Sequence, residues 1–321
     1  MPYPKLEGAQ VLVTGGAGFI GAHLVEELLR QGSKVRVFDN LSTGLASNLD
    51  AVRDQIHMLE GDLRNVENCK EACDGVEMVF HQAALGSVPR SVNDPATSMA
   101  VNVGGTTNLF AAARDAGVRR VVYASSSSVY GDTPTLPKKE GEEGDVLSPY
   151  ALSKKMCEEL TEIFQRCYDM EIVGLRYFNV YGPRQRPDGP YAAVIPRFFD
   201  AYYSGGAPVI YGDGEQSRDF TYVGDAVRAN ILAAGAPKSA CGRSYNVAGG
   251  KRVSLNQLWQ LIRDLVGGGP EPEYTDPRPG DVRHSLADLS DSTAALEFEP
   301  QVGVDEGLKA AAAHYSAAST E

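Results

Sequence analysis

Basic charge, paired cysteine and long apolar runs are all scarce in this sequence of 321 residues. Lysine and arginine total 30 against 42 aspartates and glutamates, a net charge of −12. So acidic a chain excludes broad contact with nucleic acid or an anionic membrane, both of which need a basic footprint. An anionic ligand has to meet individually placed arginines or backbone N–H groups instead. The five cysteines (Cys69, Cys73, Cys157, Cys167, Cys241) are odd in number and show no C-x-x-C spacing. Reduced thiols in a reducing compartment are expected. The five histidines (His23, His57, His81, His284, His314) form no ligand-spaced cluster, so no metal site is expected. No stretch approaches the roughly 18 apolar residues of a membrane span. The segment before the first strand carries no signal-peptide h-region, and a cytoplasmic protein is expected.

What the chain does have is alternation. Short apolar runs at Gln10–Val13, Lys34–Phe38, Ile56–Leu59, Met78–Phe80, Arg120–Ala124 and Ile172–Tyr177 read as buried strands. Between them, Phe19–Arg30 places Ile20, Leu24, Val25 and Leu28 on one helical face. Val103–Ala116 and Tyr150–Tyr168 read as further helices, the second opened by Ser148-Pro149. Val/Ile-rich strands separated by helices predict an α/β fold, a doubly wound parallel sheet covered on both faces. After Tyr181 the texture changes to Pro- and Gly-rich turns, with helices expected at Gly224–Ala234, Leu255–Val266 and Ala310–Ala318. Residues 1–180 are read as a dinucleotide-binding domain, with 223–248 returning to pack on it. Residues 181–321 are read as a smaller α/β substrate-binding domain.

The first strand runs into Gly15-Gly16-Ala17-Gly18-Phe19-Ile20-Gly21 and then a helix, the context a Rossmann phosphate-binding turn requires. Gly15 permits the tight turn, Gly18 the approach of a pyrophosphate, and Gly21 close helix–strand packing. The helix N-terminus offers N–H groups to the phosphates. Asp39 ends the second strand 18 residues past Gly21, near the roughly 20 expected of a ribose-binding acid. A carboxylate there accepts from a 2′-hydroxyl and repels a 2′-phosphate. Asn40-Leu41-Ser42-Thr43 contains no cation to reverse that preference, so NAD is the expected cofactor. Asp62 after the third strand suits either an adenine amino group or an N-cap. The small residues of His81-Gln82-Ala83-Ala84 suit close passage of a ribose.

Tyr150 and Lys154 stand at i and i+4, on one face of a helix. A lysine ammonium beside a phenol favours the phenolate, which makes a tyrosine an acid or base for a carbon-bound hydroxyl. Behind a complete dinucleotide motif, and with Ser125-Ser126-Ser127-Ser128 after the fifth strand, the pair reads as catalytic rather than as a solvated helix pair.

T-G-G-A-G-F-I-G, H-Q-A-A, S-S-S-S-V-Y-G-D, Y-x-x-x-K and R-Y-F-N-V-Y-G-P together resemble the extended short-chain dehydrogenases of the nucleotide-sugar epimerase/dehydratase family, over nearly the whole chain. The resemblance implies a catalytic triad of Ser126, Tyr150 and Lys154. It implies a cofactor site extended to Phe19, Ile20, Asn40, Ser42, Thr43, Gly44, Leu63, Gln82, Ala83, Ala84, Asn102 and Tyr177. It also implies a nucleotide-diphosphate-sugar substrate and a homodimer, formed through the helices at Val103–Ala116 and Tyr150. Family 4,6-dehydratases resemble T-D-E-V-Y where this chain has Ser126-Ser127-Ser128-Val129-Tyr130, and uronate decarboxylases carry a Glu at the place of Ser128. Serine is no proton donor of carboxylic strength, so elimination and decarboxylation are disfavoured. Reversible oxidation at C4 through a 4-keto sugar remains, the reaction of a 4-epimerase.

Other segments resemble bacterial UDP-N-acetylglucosamine 4-epimerases of the UDP-galactose 4-epimerase family: G-S-V-P-R-S at Gly86, Y-A-A-V-I-P at Tyr191, G-D-G-E-Q-S-R-D-F at Gly212 and R-P-G-D-V-R-H-S at Arg278. That implies sugar or phosphate contacts from Ser87, Ser126, Ser127, Ser128, Asn179 and Gln185. Ala193, Val194, Tyr211 and Asp281 complete the implied pocket, with a diphosphate clamp of Arg218 and Arg278. Ser285 matches the family position whose size gates the 2-substituent, and serine leaves room for an N-acetyl group. UDP-GlcNAc and UDP-GalNAc, with the plain hexoses, are therefore the expected substrates. Arg186 resembles the loop arginine of UDP-glucuronate 4-epimerases and keeps a uronate as the alternative. A catalytically dead NAD-binding sensor or scaffold is the non-enzyme alternative, against which Tyr150, Lys154 and Ser126 all stand.

Overall fold

A computed structural model describes residues 6–187, 192–277 and 282–318. Six strands, β1 (Gln10–Thr14), β2 (Lys34–Asp39), β3 (Ile56–Glu60), β4 (Met78–His81), β5 (Arg120–Ser126) and β6 (Glu171–Tyr177), form a parallel sheet with a seventh at Arg243–Val247. The order runs from the seventh strand through β6, β5, β4, β1 and β2 to β3. The sheet reverses direction of growth between β1 and β4, where Thr14 pairs with His81. In a doubly wound sheet the crevice at that reversal is where ligands bind.

The central strands β1, β4 and β5 bury nearly every side chain because helices cover both faces, while the edge strand β3 stays partly exposed. On one face Leu24, Val25 and Leu28 of α1 (Phe19–Arg30) share a core with the helix Val223–Gly235. On the other, Phe110 sits edge-on to Tyr123 and Phe164, with centroids 5.9 and 5.6 Å away. Fully burying one such side chain contributes about 1.5–3 kcal/mol. A third core, with Tyr181, Phe198, Phe199, Trp259, Ile262 and Leu308, lies beyond the end of β6.

Several expected elements change in ways that matter to the site. β5 continues two residues past Ala124 to Ser126, which brings two of the serines onto the strand end. The helix expected from Val103 begins as a wide π turn at Ala100–Gly105 and becomes α-helical at Thr106. There the Asn102 carbonyl accepts from both Thr106 Oγ1 and Cys157 Sγ. Ser148 caps the helix Pro149–Tyr168, its hydroxyl accepting the Ala151 N–H. The structure adds a helix at Val66–Cys73, turns at Ala46–Gln55 and an edge strand at Arg243–Val247 to the expected elements.

Candidate active site

The loops at the C-terminal ends of β1, β2, β4 and β5 line one cavity of about 820 Å³. Gly15 adopts φ 68°, and a side chain there would meet the Ala83 backbone nitrogen at 2.6 Å. A Cβ on Gly21 would drive into the Gly15 carbonyl. The turn therefore tolerates only glycine at both ends, which lays the chain between them flat against the cavity. Asp39 accepts from Ala17 N at 3.0 Å and Leu41 N at 2.8 Å, while burial pushes its carboxyl up. It faces the cavity with Phe19, Ile20, Asn40, Ser42, Thr43, Gly44, Leu63, Gln82, Ala83 and Ala84. A glycine cradle followed by an acid and an open groove is the shape a dinucleotide requires, so these residues fit NAD.

Two expectations at this end need correction. Asp62 is not an N-cap, since Asn65 caps the following helix; it lines the cavity with its carboxylate bridged by Arg64 Nε and Nη2 at 3.0 and 2.7 Å. That guanidinium holds the Asp62 carboxyl well below the usual range. Asn102, expected at the cofactor, is 1% exposed. Its side chain binds both polar groups of the Leu85 backbone and donates to Ser153 Oγ at 3.0 Å. It positions the 84–86 loop and the catalytic helix from behind.

His81 is buried between two threonines, with Nδ1 2.7 Å from Thr14 Oγ1 and Nε2 2.9 Å from Thr106 Oγ1. Because the Thr106 hydroxyl donates to Asn102 O, Nε2 is the protonated nitrogen and Nδ1 accepts from Thr14. Burial, with Lys154 nearby, lowers its pKa to about 3 and keeps the ring neutral.

Across the cavity, Tyr150 and Lys154 project from the helix Pro149–Tyr168. Lys154 is 6% exposed and its Nζ donates to Ala124 O at 2.7 Å, which ties it to the end of β5. Ser126 Oγ accepts the Ser128 N–H at 3.1 Å, so its own proton is available to a ligand oxygen. Ser125, Ser126 and Ser127 line the cavity. Ser128 does not: its hydroxyl is buried and unpartnered. Beneath Ser125, which donates to Glu158 at 2.5 Å, Arg176 forms a bidentate pair with Glu158 and a second pair with Glu143. Tyr177 donates to Gln82 Oε1 at 3.1 Å and accepts from Asn230 at 2.6 Å, closing the floor.

The sugar-side residues divide. Asn179, in the left-handed region at φ 37°, donates to Asp219 O at 2.8 Å. Gln185 donates to Val180 O at 2.9 Å, leaving its Oε1 buried and unpartnered. Asn179, Gln185 and Ala193 line both the main cavity and an adjoining one of about 240 Å³, which Val194, Tyr211 and Arg218 complete. Arg186 is exposed and lines the main cavity only. Ser87 instead caps a short helix, accepting from Arg90 N at 3.2 Å. Ser285 bridges to the strand Ser217–Asp219, its amide donating to Ser217 O at 3.0 Å. Arg278 and Asp281 lie outside the described residues. Sequence reasoning missed Asp219, whose buried carboxylate accepts from Gly249 N and Ala287 N at 2.9 and 3.1 Å and so joins three segments around the sugar side. An aspartate inside a polar turn motif carries no signal of burial. Burial lifts its pKa to about 7.

Comparison with known proteins agrees with this geometry. Residues 11–248 match the family model described as the NAD dependent epimerase/dehydratase family. A UDP-glucose 4-epimerase of Mycolicibacterium smegmatis is 40% identical over 303 residues, covering 93% of this chain and 96% of that one. A UDP-glucuronate 4-epimerase of Thermodesulfobacterium geofontis is 36% identical, covering 93% of each. Among solved structures, the UDP-N-acetylglucosamine 4-epimerase of Methanobrevibacter ruminantium M1, in complex with UDP-N-acetylmuramic acid, superimposes with a TM-score of 0.93. It is 40% identical and covers 97% of this chain and 99% of that one.

Proposed function

The chain belongs to the NAD dependent epimerase/dehydratase family, and from that premise we propose that it is a UDP-sugar 4-epimerase that interconverts UDP-GlcNAc and UDP-GalNAc and accepts the plain hexoses. The observation that carries the reaction type is where the acids are. Among the described residues lining the cavity, the only carboxylates are Asp39 and Asp62, both at the cofactor end. No carboxylate among these described residues stands at the Tyr150 end to supply the acid and base of an elimination.

NAD, when bound, supplies the hydride acceptor and returns the hydride. Tyr150 takes the C4 hydroxyl proton as that carbon is oxidised, and gives it back when the opposite face is reduced. Lys154, one helical turn on and fixed on Ala124 O, holds its ammonium on the same cavity-facing side of the helix as the phenol. Ser126 donates to the same sugar oxygen, and in a site lined by both domains this hydrogen bond acts with little competition from water. Ala193, small and on the wall of both cavities, supports an N-acetyl substrate; Ser285 lines neither cavity and supports it only through the family position that it matches. Arg186 on the cavity wall supports the second reading, a uronate, because a guanidinium pairs bidentately with a carboxylate.

The domain division at residue 180 is proposed on the same evidence, with the third core as the centre of the substrate domain. Exposed Leu152 and Ile163 on the Tyr150 helix, with Val88 and Val92 on the short helix Val88–Asn93 that packs against it, support a homodimer through that face. No helix among the described residues is long and apolar enough to cross a membrane; a cytoplasmic location is our reading of the thiols and charge. The test of function is separate incubation with UDP-GlcNAc, UDP-glucose and UDP-glucuronate, with C4 epimers counted by NMR. The N-acetyl sugar should turn over fastest. A faster uronate reverses the substrate assignment, and no turnover of any of the three defeats the epimerase.

A further inference from the structure

Arg184 lies in the loop after Tyr181, but its partners lie in the nucleotide-binding half. Nη1 and Nη2 donate to the two carboxylate oxygens of Glu26, on α1, at 2.6 and 2.8 Å. Nη1 also donates to the Asn48 carbonyl at 3.1 Å. Asn48 in turn donates through its side chain to Ala17 O at 2.8 Å, inside the glycine turn. The result is a continuous polar strap from the phosphate-binding turn, across Asn48, to the 182–187 loop. On its other side that loop is tied down by Tyr315, whose hydroxyl donates to Gln185 O. Arg184 and Asn48 both line the main cavity; Glu26 does not.

Two features suit this strap to holding something in. The side chains of Arg184 and Glu26 are only 20% and 36% exposed, so the pair is screened less than a surface pair. Arg184 itself adopts φ 66°, a left-handed conformation that a non-glycine residue keeps only where its surroundings impose it. The chemistry supplies the need. An epimerase regenerates its cofactor at every turnover, so exchange has no use, and losing the dinucleotide midway strands an oxidised sugar.

We propose that Glu26 is a positioning residue for cofactor retention. Acting through Arg184, it keeps the 182–187 loop closed on the dinucleotide end of the cavity, and NAD leaves only when this pair parts. The proposal rests on the epimerase reading for its purpose, but its test uses NAD alone, so a failure here is distinct from a failure of the sugar assay.

Full-length protein is loaded with NAD and mixed with an enzyme that consumes NAD on release, and the release rate is followed. Glu26→Gln, which keeps the shape and removes the charge, should release NAD about tenfold faster, the effect of losing one charge-assisted pair. Exchanging the partners, Glu26→Arg with Arg184→Glu, should bring the rate back toward wild type. Unfolding of the NAD-free proteins is measured alongside. An unchanged rate in Glu26→Gln overturns the proposal. So does faster release that the exchange fails to restore, because the carboxylate would then act only on the stability of α1.

Discussion

At the scale of single residues, the site separates chemistry from selection. On the proposed mechanism Tyr150 takes the C4 proton, so Tyr150→Phe should lower kcat about 10²–10⁴-fold, the usual contribution of a general base. Its melting temperature should stay close to wild type, because Tyr150 is partly exposed and its backbone amide, not its hydroxyl, is bonded to Ser91. Steady-state kinetics beside a thermal melt check both halves. Ser285→Tyr should act on selection instead, lowering kcat/KM for UDP-GlcNAc by about 10–200-fold while UDP-glucose is affected less. Equal losses on both sugars would place Ser285 in the scaffold that it shares with Ser217 and not in the pocket. Asn102 carries a lesson in the other direction. Its place in the chain predicts a cofactor ligand, but the π turn at Ala100–Gly105 rotates it inward, to join the Leu85 loop to the catalytic helix.

Elements place these residues, and they do so with buried charge. Glu158 stands one turn after Lys154, and its carboxylate holds Ser125 at the end of β5 and Arg176 at the end of β6. Arg176 is 7% exposed, so removing its partner leaves a buried guanidinium with a neutral neighbour. Breaking a buried pair in this way costs about 3–5 kcal/mol. Glu158→Gln should therefore destabilise the protein by about that much, less whatever the Glu143 pair retains, as read by urea unfolding. The helix itself was legible from its Ser148-Pro149 start and its Tyr–Lys spacing. The purpose of Glu158 was not, because its partners come from β5 and β6, 33 and 18 residues away.

For the whole molecule, titration links the fold to pH. His81 titrates near 3 in the fold and near 6.5 in the unfolded chain, so on acidification the unfolded chain takes up the proton first. Its contribution is complete above pH about 6.5 and is lost as pH falls toward 3. His23, lowered to about 4 by burial, acts in the same direction. Asp219 opposes them: raised to about 7 from 3.8, it makes the fold bind a proton that the unfolded chain has lost, so stability falls as pH rises between those values. Asp219→Asn should remove that downward slope and leave the acid side, set by the histidines, in place. Urea unfolding from pH 4 to 8 on both proteins checks it; identical slopes would mean that Asp219 stays ionised in the fold.

The sequence by itself determined the doubly wound sheet, the glycine turn with Asp39, and the Tyr150–Lys154 pair. Each is a local signal: apolar runs of strand length, residues a few positions apart on one turn, two side chains one helical turn apart. It also marked the absence of carboxylates at Ser127 and Ser128, since composition at a motif needs no coordinates. Only the tertiary structure decided which marked residues reach the cavity. It turned Asn102, Ser87 and Ser128 away from the cavity, engaged Asp62 with Arg64, and set Asp219 and the Glu26–Arg184 pair where long separations meet. The places of Asp219 and of the Glu26–Arg184 pair depend on contacts between segments 30 to 158 residues apart, whereas Asp62 and Ser87 are engaged by neighbours two and three residues away. Periodicity reports only which face of its own element a residue occupies, and the scarcity of basic charge gave no hint that one arginine would bind the two halves together.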